Sequence, residues 1–133
     1  MTAPVYLDTS VLAHALLGAD PMAAEWFASV SVTNEVMSST LLRLEATRLL
    51  RRESLDPALA EPYLQRVALV SINDQTLRIA GTFTPHIKTL DSIHLATLLL
   101  TDPEATLITH DVTMGRLAQE LGISFYDPLA GSL

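Results

Sequence analysis

Four acidic residues, Asp8, Glu45, Asp91 and Asp111, are the side chains of this 133-residue sequence whose type and setting could do chemistry. Asp8 closes the apolar run Val5-Tyr6-Leu7, and Asp111 follows Leu107-Ile108-Thr109 after His110. Both also suit a plain helix cap, since Asp is a favoured N-cap residue. Glu45 is more telling, because it falls among Leu41, Leu42 and Leu49 on one helical face while Arg43, Thr47 and Arg51 mark the other. A carboxylate on a packed face must be paired, protonated or bound to a cation. An ion pair with Arg48 on the next turn is the simplest alternative. Asp91 sits in the first turn of an apolar helix, where the dipole alone favours an anion. His94, three residues on, reads as a packed or hydrogen-bonded neighbour rather than a ligand.

Two unit charges ~4 Å apart repel by ~4 kcal/mol at an effective dielectric of 20, so a cluster of such acids calls for a cation. Oxygen-only donors select a hard ion, Mg²⁺ or Mn²⁺, and the absence of cysteine and of spaced histidine pairs argues against zinc. Ions so held can activate water and stabilise the leaving oxygen in phosphodiester hydrolysis. His14, His86 and His110 have no sequence partner that suggests a triad, and no serine sits in a strained nucleophile turn. Spacing alone does not unite the four acids; the elements that carry them must.

Those elements alternate. Strand signals fall at Pro4–Leu7, Glu35–Ser38, Val67–Ile72, Ala105–Thr109 and Ile123–Tyr126, with Val67–Ile72 richer in strand formers than Glu35–Ser38. Helical patterns cover Thr9–Leu17, Ser39–Arg52, Asp74–Phe83, Leu90–Leu100 and Val112–Leu121, the first ended by Gly18 and the last by Gly122. Asp20-Pro21 and Asp56-Pro57 read as N-caps followed by proline, opening helices near 20–30 and 56–68, with Pro62 bending or delaying the second. Strands separated by helices predict a three-layer α/β/α sandwich around a mainly parallel sheet, with ligands beyond the carboxyl ends of the strands. No linker or repeat divides the chain, so one domain over 1–133 is expected.

Composition narrows the function. There are 15 acidic and 8 basic residues, a net charge of −7, which argues against holding nucleic acid by bulk electrostatics. It does not exclude a nuclease, because setting the four singled-out acids aside leaves 11 against 8. Apolar residues make up 49% and charged residues 17%, below the ~25% usual for globular chains, so some apolar surface is expected to cover a partner. The sequence has no cysteine, no positively charged leader before Asp8 and no uncharged apolar run near the ~20 residues that span a bilayer. A cytoplasmic protein without membrane contact is the expectation.

The local motifs around the four acids resemble the PIN-domain family, specifically VapC-type toxin ribonucleases. Val5-Tyr6-Leu7-Asp8-Thr9-Ser10-Val11-Leu12 is similar to that family's opening motif, Ser38-Ser39-Thr40-Leu41 through Glu45 to the second, Thr89 to Thr97 to the third, and Thr109-His110-Asp111 to the fourth. Lys88, Ser92 and Met114 depart from residues common there, without removing a carboxylate. The resemblance implies a PIN-like fold in which Asp8, Glu45, Asp91 and Asp111 are catalytic and bind Mg²⁺ or Mn²⁺, supported by Thr9, Ser10 and Thr109. It implies an endoribonuclease that is the toxin of a toxin–antitoxin pair, held in check by a cognate antitoxin and forming a homodimer. Arg43, Arg48, Arg51 and Arg52 hold half the basic residues on the Glu45 helix, either as a solvated face or as contacts to the RNA backbone. Two other readings remain: a catalytically silent PIN-like protein-binding module, and a haloacid-dehalogenase-type phosphotransferase. The second is disfavoured because Ser10 stands where that class needs its second aspartate.

Overall fold

The computed structural model describes residues 3–18 and 21–129. Short apolar runs become β1 (Val5–Leu7), β2 (Val36–Ser39), β3 (Ala68–Val70), β4 (Thr106–Ile108) and β5 (Phe125–Tyr126), all parallel in the order β3-β2-β1-β4-β5. Between them run α1 (Thr9–Leu17), α2 (Pro21–Thr33), α3 (Leu41–Arg52), α4 (Glu61–Leu64), α5 (Asp74–Ala80), α6 (Thr89–Thr101) and α7 (Val112–Glu120). Side chains alternate across each central strand, and this splits the core in two. Val5, Leu7, Val36 and Ile108 pack against Val11 and Leu12 of α1, Phe27 of α2, and Leu42, Ala46 and Leu50 of α3. Tyr6, Met37 and Leu107 face Leu95 and Leu98 of α6 and Met114, Leu117 and Ala118 of α7. The sheet is therefore the middle of three layers, the expected architecture, but wholly rather than mainly parallel.

Three helical expectations need correction. The helix near 56–68 is instead a 3₁₀ turn, Pro57–Ala60, followed by the single turn α4. Pro62 explains the break, because it lacks an N–H and its ring would collide with the Ala58 carbonyl in a continuous α-helix. It is accommodated only in the first turn of a restarted one. The helix expected from Ser39 begins at Leu41, since Ser39 belongs to β2 and its Oγ accepts from Leu41 N at 3.0 Å. The helix from Asp74 stops at Ala80, before Gly81, short of the expected Phe83. Asp56 caps as expected, accepting from Ala58 N; the cap expected at Asp20 lies outside the described residues.

The strand order fixes where a ligand belongs. From β1 the chain moves to one side through β2 and β3, then crosses to the other side for β4 and β5. The sheet's direction of winding therefore reverses between β1 and β4, leaving a crevice beyond their carboxyl ends. Asp8 follows β1 and Asp111 lies just past β4 at that reversal, and Asp8 N donates to Ile108 O at 2.9 Å.

Candidate active site

Asp8 occupies the N-cap position of α1, yet its carboxylate makes no cap bond. It is 3% exposed, and its Oδ2 accepts instead from Ser10 Oγ at 2.9 Å and from Thr109 Oγ1 at 2.8 Å. Ser10 stands in the first turn of α1 and Thr109 just past the end of β4, so Asp8 is fixed by side chains from its own helix and from the neighbouring strand's end, and not by a cap bond. Asp111 behaves differently. It is a true N-cap of α7, its Oδ1 accepting from Thr113 N at 2.8 Å and Met114 N at 3.3 Å. Of the two acids with the same sequence signature, only one is a cap.

Glu45 pairs neither with Arg48 nor with any other arginine among the described residues. Its Oε1 accepts from Thr9 Oγ1 at 2.9 Å and lies 2.6 Å from His94 Nε2. The other His94 nitrogen, Nδ1, is 2.8 Å from Tyr6 Oη. Tyr6 and His94 are both fully buried. Burial pushes the Tyr6 phenol up, so the O–H stays protonated and can donate to Nδ1. The imidazole proton then sits on Nε2, where it donates to Glu45.

Asp91 lies in the first turn of α6, and its carboxylate has no hydrogen bond among the described residues. Burial, then the charges of Asp8 and Asp111, push its carboxyl up from 3.8 to about 6; His94 pulls the other way and Glu45 adds to the rise. The helix dipole, which alone would favour the anion, is outweighed.

All four carboxylates line one cavity of about 280 Å³, together with Thr9, Ser10 and Lys88. Lys88 is the only basic side chain lining it among the described residues; in the sequence it was visible only as a departure from a family pattern. A larger cavity of about 510 Å³ between α5 and α6 has no acidic lining. Adjoining the acidic cavity, through Thr9, Ser10 and Glu45, is another of about 430 Å³ that Arg48 and Arg52 line. Arg48, Arg51 and Arg52 also border a fourth space. Arg43 is set apart from them, ion-paired with Glu61. His110 turns away to Asp127, 2.8 Å from Nδ1, and stacks edge-to-face on His14.

The donor set suits a hard divalent cation. It is all oxygen, and the protein's hydrogen bonds use Oδ2 of Asp8, Oε1 of Glu45 and Oδ1 of Asp111, leaving a second oxygen on each, besides both of Asp91, among the described residues. Among those residues no three His, Asp or Glu side chains already stand in a metal-holding arrangement, so the acids share a cavity without forming a closed cage.

A family model described as PIN domain matches residues 5–120. No curated protein matches the sequence. The fold is similar to that of several solved structures, these three among them. VapBC2 from Rickettsia felis bound to a DNA fragment from their promoter gives a TM-score of 0.74 at 12% identity, covering 92% of this chain and 97% of that one. A toxin-antitoxin complex from Klebsiella pneumoniae gives 0.64 at 16%, covering 84% and 89%. FitAB bound to an IR36 DNA fragment gives 0.60 at 16%, covering 93% and 94%.

Proposed function

Because the chain belongs to the PIN-domain family, whose membership implies nuclease chemistry, we propose that it is a divalent-metal-dependent endoribonuclease and the toxin of a toxin–antitoxin pair. One observation carries this reading: four carboxylates from four separate elements line a single cavity where the sheet reverses direction. Nucleases of this family generally use divalent ions, and here Asp8, Glu45 and Asp91 would hold Mg²⁺ or Mn²⁺, with Asp111 in support. The bound ion would supply an acidified water and charge stabilisation for the leaving oxygen of the phosphodiester.

The chain's own residues do the rest. Ser10 and Thr109 hold Asp8 still, Thr9 and His94 hold Glu45, and among the described residues no imidazole lines the cavity to act as a base. Lys88 at the acidic cavity and Arg48, Arg51 and Arg52 beside it are the cations positioned to receive RNA phosphates, whereas Arg43 is occupied by Glu61. An acidic pocket on a chain of net charge −7 also suits a cognate antitoxin that covers it with a basic segment. A second copy of the chain is the other partner proposed. No helix among the described residues is long and apolar enough to cross a membrane.

The test is cleavage of RNA by the purified chain in Mn²⁺ or Mg²⁺ and in EDTA. Cutting is expected only with metal. Asp8→Asn should reduce it by ~100-fold or more, the scale of removing a group that stabilises developing charge, while leaving the fold intact. Cutting in EDTA, or full activity in Asp8→Asn, defeats the assignment; no cutting under any condition favours the silent binding module. Arg48→Glu with Arg52→Glu should weaken RNA affinity by ~10-fold or more and flatten its salt dependence, and Arg43→Glu should do neither.

A further inference from the structure

His94 is difficult to explain as packing alone. It is fully buried and meets Tyr6, which packs in the cluster with Leu95, Leu98, Leu107 and Met114, edge-to-face at 5.7 Å between ring centroids. An imidazole with no exposure is tolerated there only if both nitrogens are bonded. A backbone carbonyl and a core hydroxyl would satisfy that need. Instead one nitrogen meets Tyr6 Oη, and the other reaches out of the core to Glu45 Oε1.

The direction of that second bond matters. Glu45 is the longest of the four acids, and its carboxylate alone is carried across three side-chain torsions, with its side chain still 19% exposed. Thr9 and His94 both meet Oε1, so two contacts from different helices fix the same oxygen and leave Oε2 without a hydrogen bond among the described residues, on a side chain that lines the acidic cavity. α6 thus contributes twice, an acid at Asp91 and a brace for a different acid at His94, one turn later on the same face. Tyr6 completes the line, because its O–H sets which imidazole nitrogen bears the proton that Glu45 receives.

Resting on the proposal that the cavity takes a divalent cation, we propose that Tyr6 and His94 are positioning residues, a buried hydrogen-bonded line that holds Glu45 in one rotamer with Oε2 presented to the ion. Groups that orient a metal's ligands typically change metal affinity by ~10–100-fold when removed. The experiment is Mn²⁺ titration of the full chain, free Mn²⁺ being read by electron paramagnetic resonance, so that no activity is needed, with melting temperature and RNA cleavage in parallel. His94→Leu should weaken Mn²⁺ binding by ~10-fold or more, and His94→Gln, whose amide nitrogen can donate near the Nε2 position, should restore most of it. Cleavage should lose kcat with little change in KM for RNA.

If His94→Leu does not fold, Tyr6→Phe decides, since it deletes one buried hydroxyl and keeps the ring; a several-fold loss of Mn²⁺ affinity is expected. A folded His94→Leu or Tyr6→Phe chain that binds Mn²⁺ as tightly as the parent overturns the relay and leaves the metal reading intact. A parent chain that binds no Mn²⁺ overturns both.

Discussion

The two sides of the acidic cavity are built differently. On one side Asp8 and Glu45 each accept two hydrogen bonds from side chains: nearby Ser10 and distant Thr109 for Asp8, distant Thr9 and His94 for Glu45. On the other, Asp91 stands without such a bond among the described residues, raised to about 6 by burial and by its acidic neighbours. The braced acids are held by geometry and the unbraced one by what charge surrounds it. Core substitutions should therefore act through the first pair, and pH and cations through Asp91.

The larger effect is expected from loosening the braced side. Thr109 Oγ1 donates to Asp8 Oδ2 and accepts from Asp111 N at 3.0 Å, so one hydroxyl ties two acids together across the β1–β4 boundary. Thr109→Val keeps the shape of this 2% exposed side chain but leaves a backbone N–H unpaired and Asp8 with Ser10 alone. A loss of ~1–3 kcal/mol in urea-melt stability is expected, with ~10-fold or greater loss of metal-dependent cleavage. A Thr109→Val chain that keeps both would mean that Asp8 needs no support from β4, and the contrast with Asp91 would collapse.

Much of this was legible in the sequence, and the limits have physical causes. The alternating strand and helix signals predicted the layers because each element's burial pattern is local. Their rank order misled. Val36–Ser39, with two serines, is buried along its length, whereas Ala68–Val70, richer in strand formers, starts exposed at the sheet edge. Position in the sheet, not propensity, sets burial. Glu45 stood out as an acid on an apolar stripe, but its partner His94 is 49 residues away and no spacing rule links them. Asp8 and Asp111 carry one signature and play two parts, because Asp8 is met by two hydroxyls, one from its own helix and one from the end of an adjacent strand that no local pattern reveals.

The smaller prediction concerns the unbraced side, and its sign separates the two halves. Asp91 binds its proton more tightly folded, at about 6, than unfolded, near 3.8, so folding takes up a proton between those values. Its contribution to stability is then complete below pH 4 and is lost as pH rises through 6. A shift of two units corresponds to ~3 kcal/mol, and because this carboxyl is only partly buried, solvent screening brings the expectation to ~1 kcal/mol. In EDTA, Asp91→Asn should therefore be the more stable chain at pH 7 by ~1 kcal/mol, with the advantage fading toward pH 4. Added Mn²⁺ at pH 7 should reverse the order, since a ligand that binds only the folded chain stabilises it and the variant has lost one of the acids proposed to hold the ion. Equal stability of the two chains at pH 7 in EDTA would show that neighbouring charge does not strain Asp91, and that this acid too is held by geometry.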